Sequence, residues 1–558
     1  MQDIGKHINW FGFILFNKNI PFLSTIVIKR RQRKLRKISR GYYKLLSKNK
    51  EFVPIIKIKK NLEEKVFSEK NNHYSPLIFN NALKFSQLIC KHYFLKTIYT
   101  RKTYFPSLNT ELLYSYGNNK SKLIYPLPSL YRNFLKKYDI EFNNFLSDIY
   151  WYFAVFMFFL LGLFTGFKNI IFSLFSLFFI QNEKNKFVYF YNINKNCLPN
   201  YTNSKTYSNL INWYINKDIN PANLICHNIK GVEDILINSY KITYKNPIQY
   251  LDNIKNIFKY SLWFFKASFL CFFDIFTGRW WHPLLFYESA NASMLRFQNN
   301  YKIASEYYFN NSNYLFRPMW TYEAEKSSKI IMAFYSTNLR ELNLKNSQKI
   351  TPHYYIKEST WPNYYLWDKY DAEYFDKTLI NKTNLEIKGY IPFTNGKNFI
   401  IKKSTKFLSV FDIQPTRDVF YRTIVDRYDD YYRVDNIIKF LNDILTLTKF
   451  NLEINIKRKR DIGSLAHPYY RNYMKKLDKI DKIHIINSDV SAYEMVNKSI
   501  GVISIPFTST AHIANYLKIP SIYYDPSKLI EINDPSLHNI KLINSIDSLE
   551  NWIQELFK

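Results

Sequence analysis

Three consecutive hydroxyl side chains, Thr508, Ser509 and Thr510, lie between a predicted strand and a predicted helix. The first turn of a helix has unpaired backbone N–H groups and the positive end of the helix dipole, and hydroxyls add further donors. Such a turn can bind phosphate when it follows the carboxyl end of a parallel strand. The alternative is that Thr508 or Ser509 only caps the helix, and the sequence leaves both interpretations open.

The elements around this turn predict a βαβ unit. The stretch Gly501–Pro526 contains an apolar strand at Val502–Ile505, a helix that runs about to Lys518, and a second strand at Ser521–Tyr524. Pro520 ends the helix because it cannot continue the hydrogen-bond ladder. Two strands joined by one helix are expected to be parallel, with a right-handed crossover.

The residues IPFTSTAHIA, followed by PSIYYDP, resemble the signature of bacterial surface-polysaccharide biosynthesis proteins known for a PFTS motif. The resemblance is good over the last third of the chain and loose over the middle. It implies a glycosyltransferase of GT-B type, in which two Rossmann-like domains face each other across a cleft. It also implies a role in capsule, O-antigen or related glycan assembly, and a closing helix, Ser548–Leu556, that often crosses back to the first domain.

Four further side chains are candidates for binding a nucleotide donor. Lys457 and Lys459 follow the predicted strand Asn451–Ile456 on one side of the chain, and Arg458 and Arg460 lie on the other side. One pair could neutralise phosphate, or the run could simply be solvated. His467, which precedes a proline, is similar to the His-Pro motif of GT-B sialyltransferase-like enzymes. Asp525 follows the last predicted strand, Ser521–Tyr524, and could hold ribose or base, or form an Asp-Pro turn.

Two carboxylates are candidates for the catalytic base, which an inverting transfer needs to accept the proton of the acceptor hydroxyl. Glu323 lies in FRPMWTYEAE and Asp368 in WPNYYLWDKYD. The neighbouring aromatic side chains could stack on a sugar, or they could only pack in a core. His282 in WWHPL is a weaker candidate.

The sequence predicts no bound metal and no cofactor, and the nucleotide-sugar is expected only as a substrate. It contains no glycine-rich phosphate loop and no cluster of His, Cys and Asp at metal-ligand spacing. Asp429 and Asp430 lie in a charged, tyrosine-rich segment that is typical of a surface. The four cysteines are far apart, which argues against a zinc site or a disulfide framework.

The composition predicts a membrane partner and no nucleic acid. The chain has 558 residues and a formal net charge of +33, but part of that charge follows from a general bias toward Lys, Asn, Ile, Tyr and Phe. No nucleic-acid-binding signature accompanies it. The basic run Lys29–Lys37 follows an apolar segment and suits an anionic membrane surface, although a solvated helix face is equally compatible.

The stretch Ile149–Ile180 is the strongest membrane signal. It has no charge up to Phe167 and is long enough to cross a bilayer. Three arrangements are possible: a single crossing, a re-entrant or interfacial hairpin with its turn at Gly166–Asn169, or a buried helix pair. A second aromatic stretch, Ile257–Trp281, could be an interfacial or a core helix.

The order of predicted elements gives an α/β protein with four regions. Residues 1–148 are basic and mostly helical, and residues 149–181 are a membrane-associated helix or hairpin. Residues 182–402 form an acceptor domain with strands at Lys186–Tyr191, Lys329–Tyr335 and Gly389–Ile391. Residues 403–558 alternate strands and helices, as a doubly wound donor domain does.

Together these features predict a metal-independent glycosyltransferase on the cytoplasmic face of the bacterial inner membrane. It would transfer a sugar from a nucleotide-sugar to a lipid-linked or growing glycan. Two alternatives remain open. A sugar epimerase or a polyol-phosphate transferase would share the fold, and a non-catalytic membrane scaffold would bind no nucleotide.

Overall fold

A computed structural model of the chain describes residues 55–70, 74–79, 86–99, 122–178, 186–193, 195–199, 210–216, 222–237, 239–310, 316–334, 354–392, 406–415, 433–458 and 466–558, with a few single positions between them. Lys29–Lys37, Asp429, Asp430, Lys459 and Arg460 lie outside the described residues.

The N-terminal region is helical, and its helices pack on the first domain. They are α1 (Ile55–Ser68), α2 (Ser86–Tyr99), α3 (Ser129–Leu135) and α4 (Asn144–Ser176). The side chain of Asn143 caps α4 by accepting a hydrogen bond from Leu146 N. From this cap α4 runs for 33 residues, so the predicted turn at Gly166–Asn169 is absent and the hairpin interpretation is wrong.

The first sheet has eight strands in the order β3-β4-β2-β1-β5-β6-β7-β8. Only β3 is antiparallel to its neighbour. The strands are β1 (Phe187–Phe190), β2 (Leu224–His227), β3 (Ile235–Ile237), β4 (Tyr240–Tyr244), β5 (Glu306–Asn310), β6 (Lys329–Ala333), β7 (Asn363–Leu366) and β8 (Asn384–Ile387). The described helices between them are α5 (Leu210–Ile215), α6 (Ile254–Phe276), α7 (Trp281–Arg296), α8 (Trp320–Ala324), α9 (Tyr354–Lys357) and α10 (Lys369–Thr378).

The second sheet has six parallel strands in the order β11-β10-β9-β12-β13-β14. They are β9 (Phe407–Phe411), β10 (Glu453–Lys457), β11 (Ile483–Ile486), β12 (Gly501–Ser504), β13 (Ser521–Tyr524) and β14 (Lys541–Ile543). The described helices are α11 (Val434–Thr446), α12 (Pro468–Leu477), α13 (Ala492–Asn497), α14 (Ser509–Tyr516) and α15 (Ile546–Glu555). In each sheet the strand order reverses beside the strand that comes first along the chain, which is β1 in the first sheet and β9 in the second. Rossmann sheets show the same reversal.

The prediction of an α/β protein with two parallel sheets is confirmed. Two details were wrong. Gly389–Ile391 is not a strand, because the edge strand β8 ends at Ile387 and Gly389 adopts a φ of +72°. The closing helix α15 stays on the second sheet, where Trp552 and Ile553 belong to that domain's core.

The two domains contact each other through aromatic side chains. Tyr390, which follows the first sheet, stacks on Tyr493 at 5.8 Å between ring centroids and contacts Tyr516 at 5.4 Å. Tyr516 belongs to α14, the helix that follows the hydroxyl turn. The hydroxyl turn of the second domain is therefore held close to the first domain.

Candidate functional site

The hydroxyl turn joins β12 to α14 through a sharply bent backbone. Phe507 has a φ of +66°, in the left-handed region that non-glycine residues rarely adopt. Its ring is buried and lies 5.9 Å from the ring of Tyr523 on β13. Packing of this ring therefore holds the turn in its conformation.

The hydroxyls of the turn form a chain rather than a helix cap. Thr508 is the N-cap residue of α14, yet its side chain makes no capping bond and donates to Ile505 O at 2.9 Å. Thr510 donates to Thr508 Oγ1 at 3.2 Å and therefore accepts from Ser504 Oγ at 3.0 Å. The simple capping role for Thr508 is thus not observed. Ser509 begins the helix.

One turn along α14, His512 meets residues of both domains. Its ring lies 4.6 Å from the ring of His538, which follows β13 in the chain. His538 Nδ1 in turn lies 2.5 Å from Asp368 Oδ2, a residue of the first domain just beyond β7. Because Asp368 and α14 both follow strands at their carboxyl ends, the carboxyl edges of the two sheets meet at this cluster.

Hydrogen bonds fix the protonation of His512. Tyr523 donates its hydroxyl proton to Thr508 O at 3.1 Å, so it accepts from His512 Nε2 at 2.9 Å. The lone pair of the imidazole is then on Nδ1. Burial, with the nearby His538, lowers the pKa of His512 to about 3, which keeps the ring neutral.

Asp368 is the accessible member of the cluster, with a side chain that is 30% exposed. Its Oδ1 accepts from the backbone N–H groups of Tyr370 and Asp371, which caps α10. Burial alone would raise the pKa of Asp368, but the hydrogen bond and charge of His538 outweigh burial and lower it. The carboxylate is therefore ionised and oriented.

His538 is held between two carboxylates of the first domain. Asp368 lies at its Nδ1, and Asp371 Oδ1 lies 3.8 Å from its Nε2. The residue has a φ of +53°, and Asn539 follows with +64°. Backbone conformations of this kind cluster at functional sites, where the surrounding structure holds them in place.

Asp368, His512 and His538 are also the group that could hold a metal ion among the described residues. One ligand atom from each lies within 4.8 Å of the other two. An ion between Asp368 and His538 would have to replace their 2.5 Å hydrogen bond. The absence of a metal stays a prediction.

The predicted donor lysine, Lys457, ends β10 and is buried. Its ammonium group donates to Arg458 O at 3.2 Å and to Ser488 O at 3.0 Å. Strand β9 lies between β10 and the motif strand β12, so Lys457 is about 10 Å from β12 across the sheet.

The other two predicted donor residues have local partners. His467 Nδ1 accepts from Tyr469 N at 3.2 Å, which caps α12. Asp525 is fully buried and accepts from Ser527 N at 3.1 Å and Ile530 N at 3.0 Å. Both side chains organise the backbone of their own loop.

Glu323 lies at the opposite edge of the first sheet from Asp368. Helix α8 runs from the carboxyl end of β5 to the amino end of β6, and Glu323 is near its last residue. The buried carboxylate accepts from Arg296 Nη2 at 2.9 Å and from Lys326 Nζ at 2.6 Å. The structure therefore separates the two predicted catalytic carboxylates.

His282, the weaker candidate, is buried in the first domain. Its Nδ1 lies 2.5 Å from Asp274 Oδ2, and its Nε2 accepts from Ser75 N at 3.0 Å. These bonds join α6, α7 and the segment before α2. The described contacts of His282 are therefore structural.

Sequence reasoning missed His512, His538 and Asp412, whereas Arg458 belongs to the second of the two basic pairs that it considered at the end of β10. Asp412 follows β9, the strand where the sheet order reverses, and its Oδ1 lies 3.5 Å from Arg458 Nε. Its other oxygen accepts from the hydroxyl of Tyr470. Two signals were available, since His512 lies within the motif and Asp412 directly follows an apolar strand. His538 has no comparable local signal.

Comparisons with solved structures found several chains of low identity. A Thermosulfurimonas dismutans KpsC, a beta Kdo 2,4 transferase, aligns with 24% of this chain and 40% of its own length at 10% identity and a TM-score of 0.17. The wall teichoic acid polymerase TagF aligns with 67% of this chain and 80% of its own length, at 13% identity and a TM-score of 0.32. The α,α-trehalose 6-phosphate synthase from Burkholderia multivorans aligns with 66% of this chain and 91% of its own length, at 8% identity and a TM-score of 0.34.

These TM-scores are low, and the chain spans less than half of the Kdo transferase it matches. No curated protein matches the sequence. A family model does match, over residues 263–553, which include four of the eight strands of the first sheet, all six strands of the second sheet and the whole hydroxyl turn. The chain therefore belongs to the polysaccharide biosynthesis PFTS motif protein family.

Proposed function

We propose that this protein is a glycosyltransferase of GT-B type that moves a sugar from a nucleotide-sugar to an acceptor in surface polysaccharide assembly. One observation carries the proposal. The carboxyl edges of two Rossmann-ordered sheets meet where the hydroxyl turn of one domain approaches Asp368 of the other. Open α/β sheets bind ligands at this edge, beside the point where the strand order reverses.

The donor phosphate would bind at the first turn of α14. The helix dipole favours an anion there, and the side chain of Thr508 does not cap the helix. The chain from Ser504 through Thr510 to Thr508 orients the turn, and Ser509 is the residue proposed to contact phosphate. Arg458, buried beside Asp412 at the reversal point, would add positive charge to the donor side.

The acceptor hydroxyl would be activated by Asp368. In an inverting transfer the acceptor oxygen forms a bond to the anomeric carbon as the bond from that carbon to the phosphate oxygen breaks. The proton of the hydroxyl passes to the carboxylate, and the charge of the leaving phosphate is stabilised at the turn. His538 would position Asp368 through its 2.5 Å hydrogen bond.

The proposal includes transfer without a metal. Charge on the leaving phosphate would be met by the helix dipole and hydroxyl donors of the turn, together with Arg458 on the donor side. Both oxygens of Asp368 already accept hydrogen bonds, Oδ1 from backbone N–H groups and Oδ2 from His538.

Thermal stabilisation by nucleotides tests the donor site. The protein is heated with CMP, CDP, UDP or GDP, beside the variants Ser509→Ala and Ser548→Ala. Ser548 is exposed in the first turn of α15 in the same domain, so it is a matched control. At a hundredfold excess over its dissociation constant, one nucleotide should stabilise wild type and the control by about 2.7 kcal/mol, and Ser509→Ala much less.

Other outcomes separate the alternatives. Equal stabilisation of Ser509→Ala would remove the phosphate role of the turn. No stabilisation by any nucleotide would favour a non-catalytic scaffold. Turnover of a nucleotide-sugar into a different sugar, without any acceptor, would favour an epimerase.

A further inference from the structure

Helices α4 and α6 have a common face of exposed apolar side chains, which is called the aromatic face below. They account for most of the exposed large apolar side chains of the described residues. The members that are more than half exposed include Phe145, Phe164 and Phe175 on α4, and Phe258, Phe265, Phe269, Phe273 and Phe276 on α6. A contiguous apolar surface of this extent marks an interaction site.

The two helices pack side by side and antiparallel. Phe167 contacts Phe264 at 5.0 Å, and Phe159 contacts Phe272 at 6.2 Å. Residue numbers therefore rise along one helix as they fall along the other. Because the two helices lie together, their exposed side chains form one surface rather than two separate stripes.

Several uncharged polar side chains of the pair face the protein and not the solvent. Asn169 donates to Tyr260 Oη at 3.1 Å, and the Tyr260 hydroxyl donates to Ala290 O at 3.1 Å. Ser173 accepts from Leu251 N at 3.1 Å. A helix of a water-soluble domain has the reverse pattern, with its apolar side inward. The outer side of this pair therefore matches an apolar environment.

The exposed charged side chains of the two helices are mainly positive. Lys168 on α4 and Lys255, Lys259 and Lys266 on α6 are exposed. The two helices contain one carboxylate each. Asp148 pairs with Arg132, and Asp274 is buried beside His282. Phenylalanines flanked by lysines suit the region where anionic headgroups meet acyl chains.

The inner side of the pair is covered by protein along its whole length. Trp151 packs on Trp280 at 5.0 Å at one end, and Phe159 stacks on Phe286 of α7 at 5.9 Å in the middle. Ser173 binds Leu251 at the other end. Helix α4 is long and apolar enough to cross a membrane, and 39% of its most apolar stretch is buried inside the protein. If α4 crossed a membrane, the helix α7 that covers its inner side would have to enter the bilayer with it.

We propose that the aromatic face lies flat in the headgroup region of an anionic bilayer, with α4 and α6 parallel to the membrane plane. This inference does not depend on the catalytic proposal. Phenylalanine rings enter the outer acyl region, and the long lysine stems extend toward headgroup phosphates. The partner is a lipid surface and not a second copy of the chain, because a self-contact would bring the lysines of two copies together.

Vesicle flotation of the full chain tests the proposal. Wild type is mixed with vesicles of phosphatidylcholine with phosphatidylglycerol, and compared with a Phe265→Ser, Phe269→Ser, Phe273→Ser variant. The control carries Leu236→Ser, Ile380→Ser and Ile532→Ser, which remove side chains of similar exposure elsewhere. Every protein retains the N-terminal basic run, so any binding by that run is common to all.

We expect wild type and the control to float, and the aromatic-face variant to lose at least tenfold in vesicle affinity with an unchanged melting temperature. Lys259→Glu with Lys266→Glu should reduce the preference for phosphatidylglycerol relative to wild type. Flotation of the Phe variant like wild type would overturn the proposal. So would wild type that ignores vesicles and forms a dimer that the Phe variant does not form.

A depth measurement tests the flat orientation. A fluorophore on Phe164→Cys should be quenched most strongly by lipids brominated near the headgroup. The four native cysteines are buried and should not react in the folded protein. Strongest quenching by lipids brominated at the acyl ends would show insertion to the bilayer centre and contradict the flat arrangement.

Discussion

The two edges of the first sheet contain carboxylates with similar sequence surroundings and different environments. At the carboxyl edge, Asp368 is partly exposed, ionised and hydrogen-bonded to a histidine of the other domain. At the amino edge, Glu323 is 1% exposed and bound by Arg296 and Lys326. An aromatic neighbourhood therefore does not distinguish the carboxylate proposed as the catalytic base from one held in structural ion pairs. The edge of the sheet from which it projects is the better guide.

The largest expected effect is on catalysis at the carboxyl edge. Asp368→Asn should lower kcat by about 10²–10⁴-fold, because it removes the proposed base while retaining a similar shape. The control is Asp376→Asn, an exposed residue of the same helix. Transfer is measured with the nucleotide-sugar identified by thermal stabilisation. Wild-type kcat in Asp368→Asn would exclude it as the base.

At the amino edge the same type of change should affect stability. Glu323→Gln leaves the partly buried Arg296 without its anion, and the loss of unfolding free energy should be below the about 3–5 kcal/mol of fully buried pairs. Urea unfolding measures the loss, with the exposed Glu373→Gln as control. Activity per folded molecule should be unchanged. A large fall in kcat with normal stability would return Glu323 to the active site.

A smaller effect is expected in the pH dependence of stability. Since the folded pKa of His512 is about 3 and an unfolded histidine has about 6.5, the unfolded chain binds more protons between these values. Stability should therefore fall as pH drops from about 6.5 toward 3. Because the pKa of Asp368 is lowered in the folded protein, its protonation at lower pH should also decrease stability.

His512→Gln should make this fall shallower, as melting temperatures across the range would show. His92 and His227, both with a pKa lowered by burial to about 4, would keep part of the acid sensitivity. An unchanged slope in His512→Gln would mean that this ring is not the neutral, buried group described above.

The smallest expected effect is that of a chelator. EDTA should leave transfer activity unchanged, because the proposed mechanism neutralises phosphate without an ion. Loss of activity that a divalent cation restores would instead assign Asp368, His512 and His538 as ligands. Replacing His538 by asparagine would then weaken metal binding, which calorimetry measures directly.

The second sheet could be predicted well from sequence because its buried strands alternate with amphipathic helices. The prediction for β13 matches its observed bounds, Ser521–Tyr524. The edge strand β8 was missed because Asn384–Ile387 is only partly buried and lacks a long apolar run. Strand prediction relied on continuous burial, which an edge strand does not have.

The residues that suggested a turn in α4 have another role. A Cβ added at Gly166 would lie 2.0 Å from the ring of Phe264, so glycine permits close helix packing. Asn169 is polar because it binds Tyr260. In the site, Asp368 could be predicted from its position after an apolar strand. Its contact with His538 could not, since 170 residues separate them and only the folded domains bring them together.

The left-handed Phe507 has a consequence for protein engineering. Replacing a strained, non-glycine residue by glycine is a common way to stabilise a turn, and here it would relieve about 1–2 kcal/mol. The same change would remove a buried ring, whose contribution is about 1.5–3 kcal/mol. Phe507→Gly, chosen from the backbone angle alone, would therefore loosen the turn of the family motif and open a cavity beside Tyr523.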